Sequence, residues 1–155
     1  MPTFSLHREQ FIKQEAEEIW DFFCDPKNLA AITPAYMNFR ITSAPHNGGL
    51  REGQIITYKV SPILGIPLFW MTEITQVDHL RSFTDEQKKG PYELWRHKHS
   101  FVQQADGVLM MDDVTYELPF GAIGTLAHAL FIKRQLNGIF DFRYKAIENM
   151  FNKVR

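Results

Sequence analysis

The sequence predicts an α+β fold: about seven strands in an antiparallel sheet, one or two short helices after the first strand, and a long C-terminal helix. Three observations predict it. Residues 38–118 carry strand-like runs in series with only turns between them, whereas parallel strands would need helical crossovers. The early helical signal is confined to residues 15–33. Everything from Gly121 onward keeps one helical period without a proline.

The first element, "TFSLHREQFIK", alternates at Phe4 and Leu6 and loses the pattern before Phe11, as a strand of mixed character would. In "EAEEIWDFFCDP" the apolar Ala16, Ile19, Phe22 and Phe23 recur at helical spacing, and Glu15, Glu17 and Glu18 suit the positive end of a helix. Pro26 ends that helix, because the residue before a proline avoids helical dihedrals. Residues 27–33 suggest a second short helix. "FRITSA" then runs into a turn at Asn47-Gly48-Gly49, and "QIITYKV" places Ile56, Tyr58 and Val60 on one side. "SPILGIP" breaks either period and reads as a loop. "LFWMTEITQV" and "RSFTDEQ" are joined through a tight turn at Asp78-His79. Trp70, Thr72 and Ile74 share one parity there, as do Phe83, Asp85 and Gln87; both sets are compatible with an extension of the inward wall, with core packing the first expectation for Trp70 and Phe83. Glu73 has the opposite parity and is expected in solvent. Gly90-Pro91 marks the next turn. "LPFGAIG" reads as a strand-to-helix corner, and it lacks the Lys and Ser/Thr of a phosphate loop. The terminal helix is about 30 residues, roughly 45 Å long at its rise per residue. His128 on it reads as exposed or capping.

Composition narrows the functional classes. The 155 residues suit a single domain, 1–155. Lys and Arg total 17 against 18 Asp and Glu, a balance that argues against nucleic-acid binding. Cys24 is the only cysteine, which excludes a disulfide framework and a thiolate zinc site. There is no apolar run of roughly 18 residues, so no stable membrane insertion is expected. The start "MPTFSLHREQ" lacks a signal peptide's apolar core, and the expected location is cytoplasmic. The oligomeric state is left open. The outlier is 14% aromatic content with 13 Phe; most of these are expected in the core, and any surplus is available to line a pocket.

The most informative stretch is the hairpin "YELWRHKHSFVQQ" and "VLMMDDVTYEL". An Asp106-Gly107 type I′ turn sets an expected register. Phe101 then opposes Asp112, His99 opposes Val114, His97 opposes Tyr116 and Trp95 opposes Leu118. The other face pairs Arg96 with Glu117, Lys98 with Thr115 and Ser100 with Asp113, as a solvent face should. The aromatic face points inward and carries His97, His99 and Asp112 with it. Unpartnered buried polar groups cost about 1–3 kcal/mol each, so these three satisfy one another or line a cavity.

Three chemistries fit that face. His97 and His99 at i and i+2 reach a single metal ion, with Asp112 or Glu73 as third ligand. Alternatively, Asp112 orients His97 or His99 for acid–base catalysis, although no serine or cysteine elbow accompanies them. In the third reading the histidines belong to a pocket wall, hydrogen-bonded and facing ligand or water. That third reading is the expectation, with no metal ion, no cofactor and no assigned catalytic residue. The candidate wall is Tyr58, Trp70, Phe83, Trp95, His97, His99, Phe101, Asp112, Val114 and Tyr116.

Three segments carry a family likeness: "AEEIWDFFCDPKNLAAITP" after the opening strand, "SFTDEQKKGPYELWRHKHSF", and "MDDVTYELPFGAIGTLAHALF". Through them nearly the whole chain resembles the SRPBCC superfamily of START-like, birch-pollen-allergen-like helix-grip proteins. The likeness is to a bacterial subgroup described as ligand-binding or cyclase/dehydrase-like. The resemblance implies a strongly curved antiparallel sheet of about seven strands gripping the terminal helix over an apolar cavity. It also implies a hydrophobic small-molecule partner that is lipid-, quinone- or polyketide-like, since members include carriers of lipids, quinones and hormones besides polyketide cyclases. The helical His-x-x-x-His pair of the superfamily's ring oxygenases is missing here. The expected function is ligand binding rather than catalysis. The alternative is a cyclase, dehydratase or isomerase using His97 or His99 with Asp112.

Overall fold

In the computed structural model, residues 2–44 and 48–153 are described. Strand β1 spans Phe4–Ile12 and helix α1 spans Ala16–Cys24. Two 3₁₀ segments, Pro26–Ile32 and Ala35–Met37, lead to the short β2, Arg40–Ile41. Then follow β3 (Ile55–Val60), β4 (Leu68–Asp78), β5 (Ser82–Lys89), β6 (Leu94–Gln104) and β7 (Gly107–Glu117). The strands form one seven-stranded sheet in the order β1-β7-β6-β5-β4-β3-β2, with every neighbouring pair antiparallel. Register shifts in the β4–β5 pairing at Met71/Thr72 and Ile74/Gln76 add twist, as bulges do.

After β7 the chain turns through Phe120 and Gly121, both left-handed at φ 70° and 53°. The terminal helix follows without interruption: α2 (Gly121–Ala127), a π turn (His128–Ile132), α3 (Lys133–Ile147) and a second π turn (Glu148–Asn152). Gly124 packs so closely on the Pro119 carbonyl that a Cβ there would collide with it.

The period of β1 does not lapse after Leu6. Arg8 and Gln10 continue the inward face but meet the polar flank of the terminal helix rather than the core. Arg8 Nη2 donates to Asn137 Oδ1 at 2.9 Å, and Gln10 Nε2 donates to the Tyr144 carbonyl and Glu148 Oε1, each at 3.0 Å. β2 is shorter than "FRITSA" suggests, and the turn expected at Asn47-Gly48-Gly49 begins outside the described residues.

The β6–β7 register corrects the sequence expectation by two residues. His99 opposes Asp112, His97 opposes Val114, Trp95 opposes Tyr116 and Phe101 opposes Met110. On the outer face Lys98 opposes Asp113, Arg96 opposes Thr115 and Ser100 opposes Met111. Gln104 pairs with Gly107, so the loop is Ala105-Asp106 and Gly107 belongs to the strand. The glycine answers a different need: a Cβ on Gly107 would strike the Ile12 carbonyl and the Phe11 ring of β1. A shift of two leaves every side chain on its expected face.

Two apolar clusters divide the interior. One gathers Ile19, Trp20, Phe23, Phe83, Phe101, Met110 and Ile147; the other gathers Val60, Trp70, Trp95, Val114, Leu136 and Phe140. Along β6, His97 and His99 lie between Trp95 of one cluster and Phe101 of the other. Asp112 falls between Met110 and Val114, and Arg143 between Phe140 and Ile147. A belt of buried polar side chains therefore separates two apolar cores.

Candidate functional site

A cavity of about 280 Å³ lies between β3–β6 and the terminal helix. The sheet contributes alternate residues, because only every second side chain of a strand faces inward. Of the expected wall, Tyr58, Trp70, Phe83, Trp95, His97 and His99 line it. Phe101, Asp112, Val114 and Tyr116 are buried, but they do not line it. Phe101 packs against Trp20 and Phe23 of α1, at centroid distances of 5.6 and 5.9 Å. Tyr116 turns its hydroxyl to His128 Nε2 at 2.7 Å. Val114 sits in the second apolar cluster, and Asp112 stands behind the histidines.

The belt is hydrogen-bonded in sequence. His97 Nε2 lies 2.7 Å from Asp112 Oδ1, and Arg143 Nη2 donates to the same oxygen at 3.1 Å. His99 Nε2 lies 2.8 Å from Asp85 Oδ2. The two imidazole rings stack with centroids 3.7 Å apart. His99 Nδ1 is buried and, among the described residues, has no hydrogen-bond partner; Asp112 Oδ1 is 3.5 Å away. The Trp70 indole N–H and Arg143 Nε are likewise buried without a partner.

Charge follows from this geometry. Burial pushes the Asp112 carboxyl up, but the Arg143 guanidinium and the His97 hydrogen bond outweigh it and hold the group well below the usual carboxylate range. Burial opposes ionisation of Asp85 too, and there the His99 hydrogen bond and the nearby cationic groups prevail, lowering it. Burial and the neighbouring His97 push the His99 imidazole down to about 4, despite Asp85 and Asp112. Burial raises the Tyr58 hydroxyl well above its ordinary value, so it stays a neutral donor.

Two residues were not in the expected wall. Asp85 has inward parity on β5 and joins His97 and His99; each of the three offers a ligand atom, all within 4.8 Å of one another. Arg143 lies on the cavity, its guanidinium carbon 5.3 Å from the Phe23 ring centroid and 5.7 Å from that of Phe140. Its signal in the sequence is an arginine in step with Leu136, Phe140 and Ile147 on the buried stripe of the helix. His128, expected to be exposed or capping, is instead buried and stacks on Phe4 at 3.5 Å between centroids. Glu73 sits outside as expected, 3.7 Å from Lys88.

No family model matches the chain, and no curated protein matches it. Solved structures do. Ginseng major latex-like protein 151 from Panax ginseng is 16% identical with a TM-score of 0.69, covering 97% of this chain and 99% of its own. A START superfamily protein from Mycobacterium smegmatis gives 16% identity and a TM-score of 0.69, with 96% and 97% coverage. A Chromobacterium violaceum protein gives 12%, a TM-score of 0.69, and 98% and 99% coverage. At such identities the likeness speaks for the fold. The chain has the START-like helix-grip fold.

Proposed function

We propose that the protein binds an apolar or aromatic small molecule, lipid-, quinone- or polyketide-like, between its sheet and terminal helix. One observation carries this reading. The cavity wall is mostly apolar, while Asp85, His97, His99 and Arg143 gather at one part of it. Ligand sites have this composition: apolar walls supply affinity and a few polar groups set orientation. The unpartnered Trp70 N–H on the wall adds a donor for a carbonyl or hydroxyl oxygen. A volume of about 280 Å³ suits a ligand of modest size or one end of a longer chain. A cytoplasmic location remains part of the reading.

Native mass spectrometry of the purified protein is the direct test. A co-purified small molecule, or a melting shift with fatty acids, quinone analogues or flavonoids, is expected. A ligand-free chain that no member of such a panel stabilises overturns the reading. A second reading, an acid–base enzyme of the cyclase, dehydratase or isomerase kind, draws on the 2.7 Å contact between His97 and Asp112. It requires pH-dependent turnover of the bound molecule that collapses in His97→Ala.

A further inference from the structure

We propose that Asp85, His97 and His99 form a site for one divalent cation of the zinc class at the cavity wall. The backbone already places the three together. The β5–β6 register sets Asp85 directly opposite His97, and His99 follows two residues on along the same face. Their ligand atoms all lie within 4.8 Å of one another. Bonds of about 2.0–2.2 Å around one ion need ligand separations of roughly 3–4 Å, so side-chain rotations of about 1–1.5 Å suffice.

The hydrogen bonds around the three residues match an outer shell. Asp112 holds His97 Nε2 at 2.7 Å, which leaves His97 Nδ1 for the ion. His99 Nε2 and Asp85 Oδ2, 2.8 Å apart, share the proton that the ion would replace. The displaced proton then moves to His99 Nδ1, the buried nitrogen without a partner, which lies 3.5 Å from Asp112 Oδ1. Ion binding therefore turns an orphaned buried atom into a donor facing a carboxylate. Asp112 would back both imidazoles, and Arg143 at 3.1 Å holds Asp112 in place. Carboxylate–histidine–metal chains of this kind fix ring orientation and tautomer in metal sites.

Charge points the same way. Arg143 pairs with Asp112, whereas Asp85 meets the His99 imidazole and, among the described residues, no Lys or Arg side chain, so the belt holds an excess of one carboxylate over guanidinium. A divalent cation reverses that excess and keeps positions open towards the cavity for a carbonyl or hydroxyl oxygen. Asp85 takes the place that the sequence offered to Asp112 or Glu73.

The test uses Co²⁺ as a spectroscopic probe on chelator-treated, metal-free protein. Expected are visible d–d bands that saturate at one equivalent and are displaced by Zn²⁺. Asp85→Asn and His99→Gln should each weaken binding at least tenfold, and Asp112→Asn by about 10–100-fold. His7→Ala should leave binding unchanged; it removes the exposed histidine beside Glu9 and Asp113, the obvious adventitious site. Absence of Co²⁺ bands together with no Zn²⁺-dependent melting shift overturns the proposal. So does binding that survives both Asp85→Asn and His99→Gln. Should those variants fail to fold, histidine ring resonances of the wild-type protein decide. One equivalent of Zn²⁺ moves two buried rings if the proposal holds and none if it fails. The outcome does not depend on whether the cavity also takes an organic ligand.

Discussion

Asp112 supports more buried structure than any other residue of the belt. It accepts hydrogen bonds from His97 and Arg143 and is almost fully enclosed. Asp112→Asn strands the Arg143 charge in the interior, and losing one partner of a buried ion pair costs about 3–5 kcal/mol. Urea unfolding should show that loss. Adding Arg143→Met to Asp112→Asn should recover part of it, because the uncompensated charge is then gone. The belt also sets a pH dependence for the metal-free protein. Asp112 and Asp85 titrate below their ordinary 3.8, so their contribution is complete above that value and lost as pH falls through and below it. His99 titrates at about 4 rather than 6.5, so the unfolded chain takes up that proton first. Stability should therefore already fall between pH 6.5 and 4, and continue falling below. Melting temperature against pH reads both limbs, and His99→Gln should flatten the upper one. The inward parity of His97, His99 and Asp112 was legible from the alternation of their strand neighbours. Which nitrogen meets which oxygen was not, since that depends on β5 and the terminal helix arriving from elsewhere in the chain.

At the scale of elements, glycines separate geometry from propensity. A methyl at Gly107 meets the Ile12 carbonyl, and one at Gly124 meets the Pro119 carbonyl. Backbone atoms cannot step aside as a side-chain tip can. Gly107→Ala and Gly124→Ala should each cost about 1–3 kcal/mol, as overpacking does. Gly138 lies within α3 with nothing near its would-be Cβ. Gly138→Ala should stabilise by about 0.5–1 kcal/mol through helix propensity alone. Thermal unfolding of the three variants must show opposite signs, and a loss in Gly138→Ala would count against this account of the helix. The same contrast explains which elements the sequence revealed. The succession of strands along the chain, the early helix and the long terminal helix follow from local periodicity and from Pro and Gly punctuation. The hairpin register does not, because Asp106-Gly107 resembles a turn signal while the glycine is required by β1, nearly a hundred residues away (roughly, by sequence separation). Long-range contact overrode local turn chemistry by two residues, and the faces survived because two is the strand period.

At the scale of the whole molecule, the sheet and terminal helix enclose two apolar cores with a polar belt and a cavity between them. An apolar ligand in that cavity would add contacts between β3–β6 and α3, which already share the second apolar cluster. Binding to the folded state alone stabilises by about 2.7 kcal/mol at a ligand concentration of 100 Kd. For a chain of 155 residues this corresponds to a melting shift of roughly 5–10 °C. The chain also carries its own reporters. Trp70 and Trp95 line the cavity with ring centroids 5.4 Å apart, whereas Trp20, the third tryptophan, lies on α1 and packs into the other core. Ligand entry should quench or shift the emission of the first two and leave Trp20 unaffected. Trp70→Phe combined with Trp95→Phe should keep the melting shift, because an aromatic ring still lines each position, but lose the emission change. A ligand that raises the melting temperature while emission changes persist in that double variant would be bound near Trp20 instead, outside the cavity between sheet and helix.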